Sequence, residues 1–182
     1  VDLLPGDYEV RETGQAGWMQ TYPELLHYPL TLVSGDVAAD KDFGNVEFAS
    51  ISGKKFEDIN ANGVQDAGDP GLDGWTIELV DTASGQVVDT EMTAAGGLYS
   101  FAGVLPGDYE LRDVLQTGWV QTYPAPGVHS VAIVSGSTIA GVDSGNAELV
   151  TVSGQKFADM NSNGVRDNGE VGLSGWTIEL VD

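Results

Sequence analysis

The chain has no cysteine, two histidines and seven lysine or arginine residues, against 28 aspartate or glutamate residues in 182 positions. Without cysteine it has no disulfides, thiolate metal ligands or cysteine nucleophiles. The formal net charge of −21 leaves no clustered basic surface of the kind that binds nucleic acid or an anionic membrane. No apolar run approaches the roughly 18 residues of a spanning helix, and no basic-then-apolar leader opens the sequence. We therefore expect no nucleic-acid partner, no membrane insertion and no signal peptide in this segment.

The sequence repeats itself with a period of 101 residues and without gaps. Pro5-Gly6-Asp7-Tyr8-Glu9 recurs as Pro106-Gly107-Asp108-Tyr109-Glu110, and Trp18 recurs as Trp119. We predict that residues 1–49 are the C-terminal part of one repeat, 50–150 a complete repeat domain and 151–182 the N-terminal part of the next. Two partial repeats on either side of a complete one are expected if the sequence is a stretch of a longer tandem array. The alternative is pairing of the two ends between copies, which is disfavoured because residues 82–101 have no second counterpart.

Each repeat is predicted to be all-β. Short segments that alternate apolar and polar residues are separated by Gly, Pro and Ser turn signals. About seven strands in about 100 residues favour tandem antiparallel β-sandwich repeats of immunoglobulin-like or transthyretin-like type. The predicted strands are 51–56, 75–80, 86–92, 98–101, 109–114, 128–134 and 138–142, with 147–150 as an extension of the last. The predicted core residues are Phe56, Trp75, Leu79, Tyr99, Tyr109 and Trp119.

An acidic twelve-residue loop occurs at 58–69 and again at 159–170, with oxygen-bearing side chains at loop positions 1, 3, 5, 9 and 12 and glycine at position 6. This is the spacing of an EF-hand loop, in which position 7 contributes its backbone carbonyl. We therefore predict Ca²⁺ as a cofactor. The predicted ligands are Asp58, Asn60, Asn62, Val64, Asp66 and Asp69, then Asp159, Asn161, Asn163, Val165, Asp167 and Glu170. Flanking strands favour a structural ion over a helix-opening switch. The alternative is an Asx-rich surface turn that binds no ion.

Further motifs surround the loop. Ile51-Ser52-Gly53-Lys54-Lys55-Phe56 precedes it, Gly71-Leu72-Asp73-Gly74-Trp75 follows it, and Leu105-Pro106-Gly107-Asp108-Tyr109 comes later. Together these motifs resemble the B-repeats of serine–aspartate-repeat surface proteins, and the resemblance spans the complete unit and both partial units. It implies a calcium-stabilised, non-catalytic sandwich in a secreted or cell-surface protein. Such modules stand in tandem as stalks or spacers and sometimes act as adhesins.

The wider relatives, B-type domains of surface adhesins and pilins, often join a lysine of the first strand to an asparagine near the last through an isopeptide bond. The matching positions here are Lys55 and Asn146, with Asp113 as the acidic residue. This chemistry needs a buried neutral lysine and an acid that polarises the amide and moves protons. The alternative is a Lys55–Asp113 salt bridge, with the asparagine capping a turn.

Three functions fit these features. The first, which we favour, is a structural array in an extracellular stalk, filament or surface layer, whose partners are neighbouring repeats of the same chain or head-to-tail copies. The second is an adhesin module for a glycan or a protein, which predicts exposed Trp18/Trp119 and Tyr22/Tyr123 faces. The third is an accessory module of a secreted enzyme. We expect no catalytic residues in the chain itself.

Overall fold

The computed structural model describes residues 3–125 and 127–181. The chain divides into two compact units, Val1–Glu148 and Leu149–Asp182. Within the described residues no helix is long and apolar enough to cross a membrane. The described residues of the first unit form thirteen strands. They are β1 (Gly6–Arg11), β2 (Trp18–Tyr22), β3 (His27–Leu32), β4 (Gly44–Glu47), β5 (Ala49–Glu57), β6 (Thr76–Asp81), β7 (Gln86–Met92), β8 (Leu98–Val104), β9 (Gly107–Asp113), β10 (Trp119–Tyr123), β11 (His129–Ile133), β12 (Thr138–Ile139) and β13 (Ser144–Glu148).

Strands β5 to β13 form a two-sheet sandwich, as the sequence predicts. One sheet has the order β11-β9-β6-β7, and the other has the order β10-β13-β5-β12 with β8 also pairing with β5. Most pairs are antiparallel, but β5 runs parallel to both β12 and β13. The predicted strands omit β10, whose five residues, Trp119–Tyr123, end directly before Pro124.

The core lies between the two sheets, where alternate residues of facing strands turn inward. Its members are Ala49, Ile51, Ile77, Leu79, Tyr99, Phe101, Val104, Tyr109, Leu111, Ile133 and Val142. Of the predicted core residues, Leu79, Tyr99 and Tyr109 belong to this cluster. Phe56 and Trp75 are buried outside it, whereas Trp119 is only half-buried.

The parallel pairing of β5 with β13 brings the first and last strands of the repeat together. Ser144 lies opposite Lys55, Gly145 opposite Phe56 and Asn146 opposite Glu57. Gly145 permits this approach, because a Cβ atom there would lie 2.5 Å from the Phe56 ring. The lysine and the asparagine predicted to react are therefore carried on adjacent strands.

The partial repeat at the start of the first unit forms two strand pairs, β1–β3 and β2–β4. Strand β4 ends at Glu47 and β5 begins at Ala49, so a single residue separates the strands of successive repeats. The Glu47 backbone N–H donates to Ser135 Oγ at 2.9 Å, and the Gly136 N–H donates to the Glu47 carbonyl at 3.1 Å. Hydrogen bonds to the β11–β12 turn therefore fix this repeat junction, which we define as residues 47–49 with Ser135 and Gly136.

The second unit contains the predicted second loop and the segments that match β5 and β6. Its described residues, 149–181, form only an isolated bridge between Phe157 and Gly172. The equivalents of β5 and β6 remain unpaired here because their partners in the complete repeat, such as β8 and β13, come from residues 98–148. This unit has no counterpart of those strands among its described residues.

Candidate crosslink and cation site

Lys55 is fully buried at the centre of a three-residue cluster. Its Nζ lies 2.5 Å from Asn146 Oδ1 and 2.9 Å from Asp113 Oδ2. The Asn146 side-chain amide donates to the same Asp113 oxygen at 3.0 Å. Lys55 and Asn146 have no solvent exposure, and the Asp113 side chain is 1% exposed. The structure therefore brings together all three residues that the resemblance implied for the crosslink.

Three strands from both sheets supply the cluster. Lys55 lies on β5 and Asn146 on β13, while Asp113 ends β9 opposite Ile77 of β6. The backbone of Lys55 is held on both sides, because its N–H donates to the Gly97 carbonyl and its carbonyl accepts from the Leu72 N–H. Despite its short side chain, Asp113 reaches both reacting groups.

Burial lowers the pKa of Lys55 below its ordinary value, and the nearby Asp113 carboxylate offsets this only in part. The Trp75 ring, 4.8 Å from Nζ, forms one wall of the site and packs edge-on against Trp119. Asp113 Oδ1 is buried without a hydrogen-bond partner among the described residues. Burial is the feature that favours the neutral amine, the form that acts as a nucleophile.

The partial repeats carry separate pieces of the same cluster. In the first unit, the Asn45 amide donates to Glu12 Oε1 at 2.6 Å, which corresponds to the Asn146–Asp113 contact. In the second unit, Lys156 Nζ lies 4.9 Å from the centre of the Trp176 ring. Each of these contacts therefore recurs at its 101-residue counterpart without the rest of the cluster.

The acidic loop at 58–69 is folded around its own carboxylates. Asp58 is fully buried and accepts hydrogen bonds from the backbone N–H groups of Asn62 and Gly63 at 3.0 and 2.7 Å. Burial acts to raise the pKa of Asp58, but the neighbouring Thr122 hydroxyl and these N–H groups outweigh it and hold the pKa below its ordinary value. Gly63 has a φ of +75°, a left-handed conformation that glycine adopts without strain.

Two further predicted ligands of the first loop, Asn60 and Asn62, converge on the carboxylate of a third, Asp66. Asn60 and Asn62 both donate their side-chain amides to Asp66 Oδ2, at 2.9 and 2.8 Å, and Asp69 accepts from the Ile59 and Asp66 N–H groups. The second loop repeats this arrangement with Asn161 and Asn163 on Asp167, Glu170 in the place of Asp69, and Asp159 accepting from Gly164.

This donor set suits a hard cation. Among the described residues no three His, Cys, Asp or Glu side chains are grouped closely enough to hold a metal ion by themselves. A cation in the first loop therefore needs the Asn60 and Asn62 oxygens and the Val64 carbonyl in addition to its carboxylates. An all-oxygen set of this kind fits Ca²⁺. The buried Thr122 Oγ1, which has no hydrogen-bond partner within the described residues, lies beside Asp58.

The aromatic pair proposed for sugar stacking is divided between two environments. Trp119 is half-buried and packs on Trp75, with ring centroids 5.4 Å apart, whereas Tyr123 is 40% exposed. In the partial repeat Trp18 and Tyr22 are both exposed. In the complete repeat the tryptophan therefore forms part of the wall around Lys55.

The fold and the buried cluster define a β-sandwich repeat module of the kind from which bacterial surface proteins are built. The sequence profile described as SdrD B-like domain matches residues 49–148, which is more than half of the chain. The chain belongs to this family, as the resemblance predicted. Family membership places it at the cell surface or outside the cell.

The relatives include the serine-aspartate repeat-containing protein D of Staphylococcus aureus (strain Newman), which is 28% identical over 202 residues. That match covers 100% of this chain and 15% of the relative. Serine-aspartate repeat-containing protein F of Staphylococcus epidermidis is 28% identical over 138 residues, which cover 70% of this chain and 8% of that protein. The chain thus spans a small part of the length of these relatives.

Solved structures of similar shape include GBS52, the minor pilin of Streptococcus agalactiae. It has a TM-score of 0.44 and 16% identity, and covers 70% of this chain and 61% of its own. The TIE protein of Bacillus anthracis has a TM-score of 0.46 and 16% identity, and covers 79% of this chain and 25% of its own.

Proposed function

We propose that the complete repeat is a non-catalytic structural module of an extracellular stalk or filament, closed by an amide bond between Lys55 and Asn146. The observation that carries this proposal is the 2.5 Å separation of Lys55 Nζ and Asn146 Oδ1 in a site without solvent. An ordinary salt bridge between Lys55 and Asp113 would not require a buried amide to touch the same nitrogen.

The chemistry balances without an oxidant or a cofactor. The neutral Lys55 amine attacks Asn146 Cγ, a new carbon–nitrogen bond forms, and the original bond from Cγ to Nδ2 breaks. Asp113 Oδ2 contacts both nitrogens, so it can take a proton from Nζ and deliver one to Nδ2. Ammonia leaves, and each repeat reacts once. Lys55 Nζ already contacts the side-chain carbonyl whose carbon it would attack, at 2.5 Å from Asn146 Oδ1.

A crosslink at this place has a mechanical consequence. Lys55 lies on the first strand of the repeat and Asn146 on the last, 91 positions apart. A pulling force that enters at β5 and leaves at β13 then passes through the amide bond and bypasses the intervening strands. This path suits a module whose partners are the neighbouring repeats of the same chain or head-to-tail copies.

The second part of the proposal is that Ca²⁺ orders the loops. The first loop would hold it with Asp58, Asn60, Asn62, Asp66, Asp69 and the Val64 carbonyl, and the second with their counterparts. When bound, the ion supplies the positive charge that offsets the repulsion among the loop carboxylates. In a chain with a net charge of −21, where self-repulsion opposes compaction, this stabilises the folded state.

The half-buried Trp119 favours this structural role over a sugar-stacking surface at the same motif. The adhesin role and the role as accessory module of a secreted enzyme remain the alternative proposals. In either of them the sandwich would present a partner-binding face rather than transmit force.

The intact mass of the folded and then denatured chain tests the crosslink. We expect the parent chain to weigh less than its sequence by one ammonia molecule, and fragmentation to join the peptides that contain Lys55 and Asn146. The Asp113→Asn chain keeps the shape of the site and should have its full mass. A full mass for the folded parent chain would contradict the proposal.

A further inference from the structure

The acidic loop and the crosslink cluster share a structural element. Asp58, the first predicted ligand, lies three residues after Lys55 and directly after the end of β5. Its backbone N–H donates to the Asn146 carbonyl at 2.8 Å. This bond continues the β5–β13 ladder by one step beyond the Glu57–Asn146 pair. The residue that opens the loop therefore also holds the main chain of the reacting asparagine.

The loop also packs against the strand on the other side of β13. Gln121 of β10 pairs with Asn146, and the next residue, Thr122, lies beside Asp58. A Cβ atom at Gly63 would lie 3.2 Å from the Thr122 carbonyl, so the sharp turn of the loop rests on β10. The asparagine is thus positioned from two sides by groups that the loop touches.

From this shared geometry we propose that order in the 58–69 loop controls how fast Lys55 and Asn146 join, and that the crosslink in turn strengthens cation binding by that loop. The inference rests on the proposed function, since it needs both the amide bond and the ion. It adds the regulation of one by the other, so that the module would lock after it has reached a calcium-containing medium.

The first direction follows from positioning. A loosened loop no longer fixes Asp58. The Asn146 backbone carbonyl then loses the hydrogen bond from the Asp58 N–H, which ends the β5–β13 ladder next to the reacting side chain. A displacement of about 1 Å at a reacting centre can cost on the order of 10²-fold in rate. We therefore expect cation-dependent ordering of the loop to accelerate crosslinking by at least roughly tenfold.

The reverse direction follows from linkage. Once the amide holds β13 against β5, part of the entropy cost of ordering Asp58 has already been met. This effect concerns the free energy of cation binding, and its size does not follow from the rate at which the amide forms. A chain that cannot form the amide should therefore bind Ca²⁺ more weakly at the first loop than the crosslinked chain does.

The rate is measured on the full chain recovered unfolded from inclusion bodies, and its full mass before refolding verifies that the amide has not formed. It is refolded with Ca²⁺ or with chelator, quenched at intervals, and weighed for the loss of ammonia. Tryptophan fluorescence reports folding separately in each sample. Two alanine variants are compared with the parent: Asp66→Ala, an exposed position of the first loop, and Asp89→Ala, an exposed acid on β7 outside both sites.

We expect Ca²⁺ to accelerate crosslinking in the parent and in Asp89→Ala, and to have little effect in Asp66→Ala. Equal rates with Ca²⁺ and chelator in folded parent chain would overturn the coupling while leaving the crosslink itself in place. No loss of ammonia in any sample would overturn the proposed function as well.

Calorimetric titration with Ca²⁺ tests the reverse direction. The background carries Asp167→Ala to disable the second loop, so that the first loop dominates the signal. Addition of Asp113→Asn to this background should weaken Ca²⁺ binding, because the uncrosslinked chain bears the full entropy cost of ordering Asp58. Equal affinities of the crosslinked and uncrosslinked chains would overturn this half of the inference.

Discussion

Replacement of Asp113 by asparagine should uncouple the fold from its crosslink. The substitution keeps the size of the side chain but removes the group that moves protons between Lys55 Nζ and Asn146 Nδ2. The lost amide would have closed a loop across 91 positions. In the chain-entropy treatment of a crosslink, closing a loop of that length stabilises the folded state by about 4.6 kcal/mol.

That free energy corresponds to a drop in melting temperature of roughly 18 to 37 °C for a domain of this size. Scanning calorimetry of parent and variant, both in the same Ca²⁺ concentration, measures the difference, and mass spectrometry verifies the presence or absence of the amide in each. Asp108→Asn is the matched control, because Asp108 is an exposed residue on the same strand, β9. An uncrosslinked Asp113→Asn chain that melts within a few degrees of the crosslinked parent would refute the reasoning.

Three more outcomes can be checked. Chelation of Ca²⁺ should lower the melting temperature and increase proteolysis within residues 60–69. An ion at a hundredfold excess over its dissociation constant adds about 2.7 kcal/mol to the free energy of unfolding. Identical melting with Ca²⁺ and with chelator would contradict this. Gly145→Ala should destabilise the complete repeat by about 1–3 kcal/mol in chemical denaturation, because the added Cβ would overlap the Phe56 ring. Gly14→Ala, whose added Cβ meets no atom within 4 Å, should be near neutral. In the uncrosslinked Asp113→Asn chain, burial lowers the pKa of Lys55 in the folded state only. The unfolded state then binds more protons, so the free energy of unfolding should rise with pH until the ordinary lysine pKa of about 10.5. A fall in stability over that pH window in urea titrations would argue against a buried neutral lysine.

Much of the fold was accessible from the sequence because its determinants are local. Alternation of apolar and polar residues predicted β7 with its full bounds and placed β6 and β9 within two residues. Because the sequence repeats every 101 residues, the strands predicted for one repeat apply to its counterparts. The Asx loop and its glycine follow from spacing alone, and the hydrogen bonds around Asp58 have counterparts around Asp159.

Other features depend on distant parts of the chain, which no local pattern encodes. The parallel pairing of β5 with β13 joins segments about ninety residues apart, and it follows from the topology of the sandwich. The reach of Asp113 depends on where β9 ends relative to β5. The Asp58–Asn146 backbone bond carries no side-chain signal at all, since any residue except proline can donate it.

The repeat junction has a geometric consequence for an array. Glu47, Ser135 and Gly136 have counterparts at the 101-residue spacing in Glu148, Ser34 and Gly35, so the same contacts can be rebuilt wherever two complete repeats meet. A joint with one intervening residue and fixed hydrogen bonds applies the same rotation and the same translation at every step. In an array of the proposed kind that repeats this joint, successive repeats would be related by a single screw operation, and the length of the array would grow in proportion to its number of repeats.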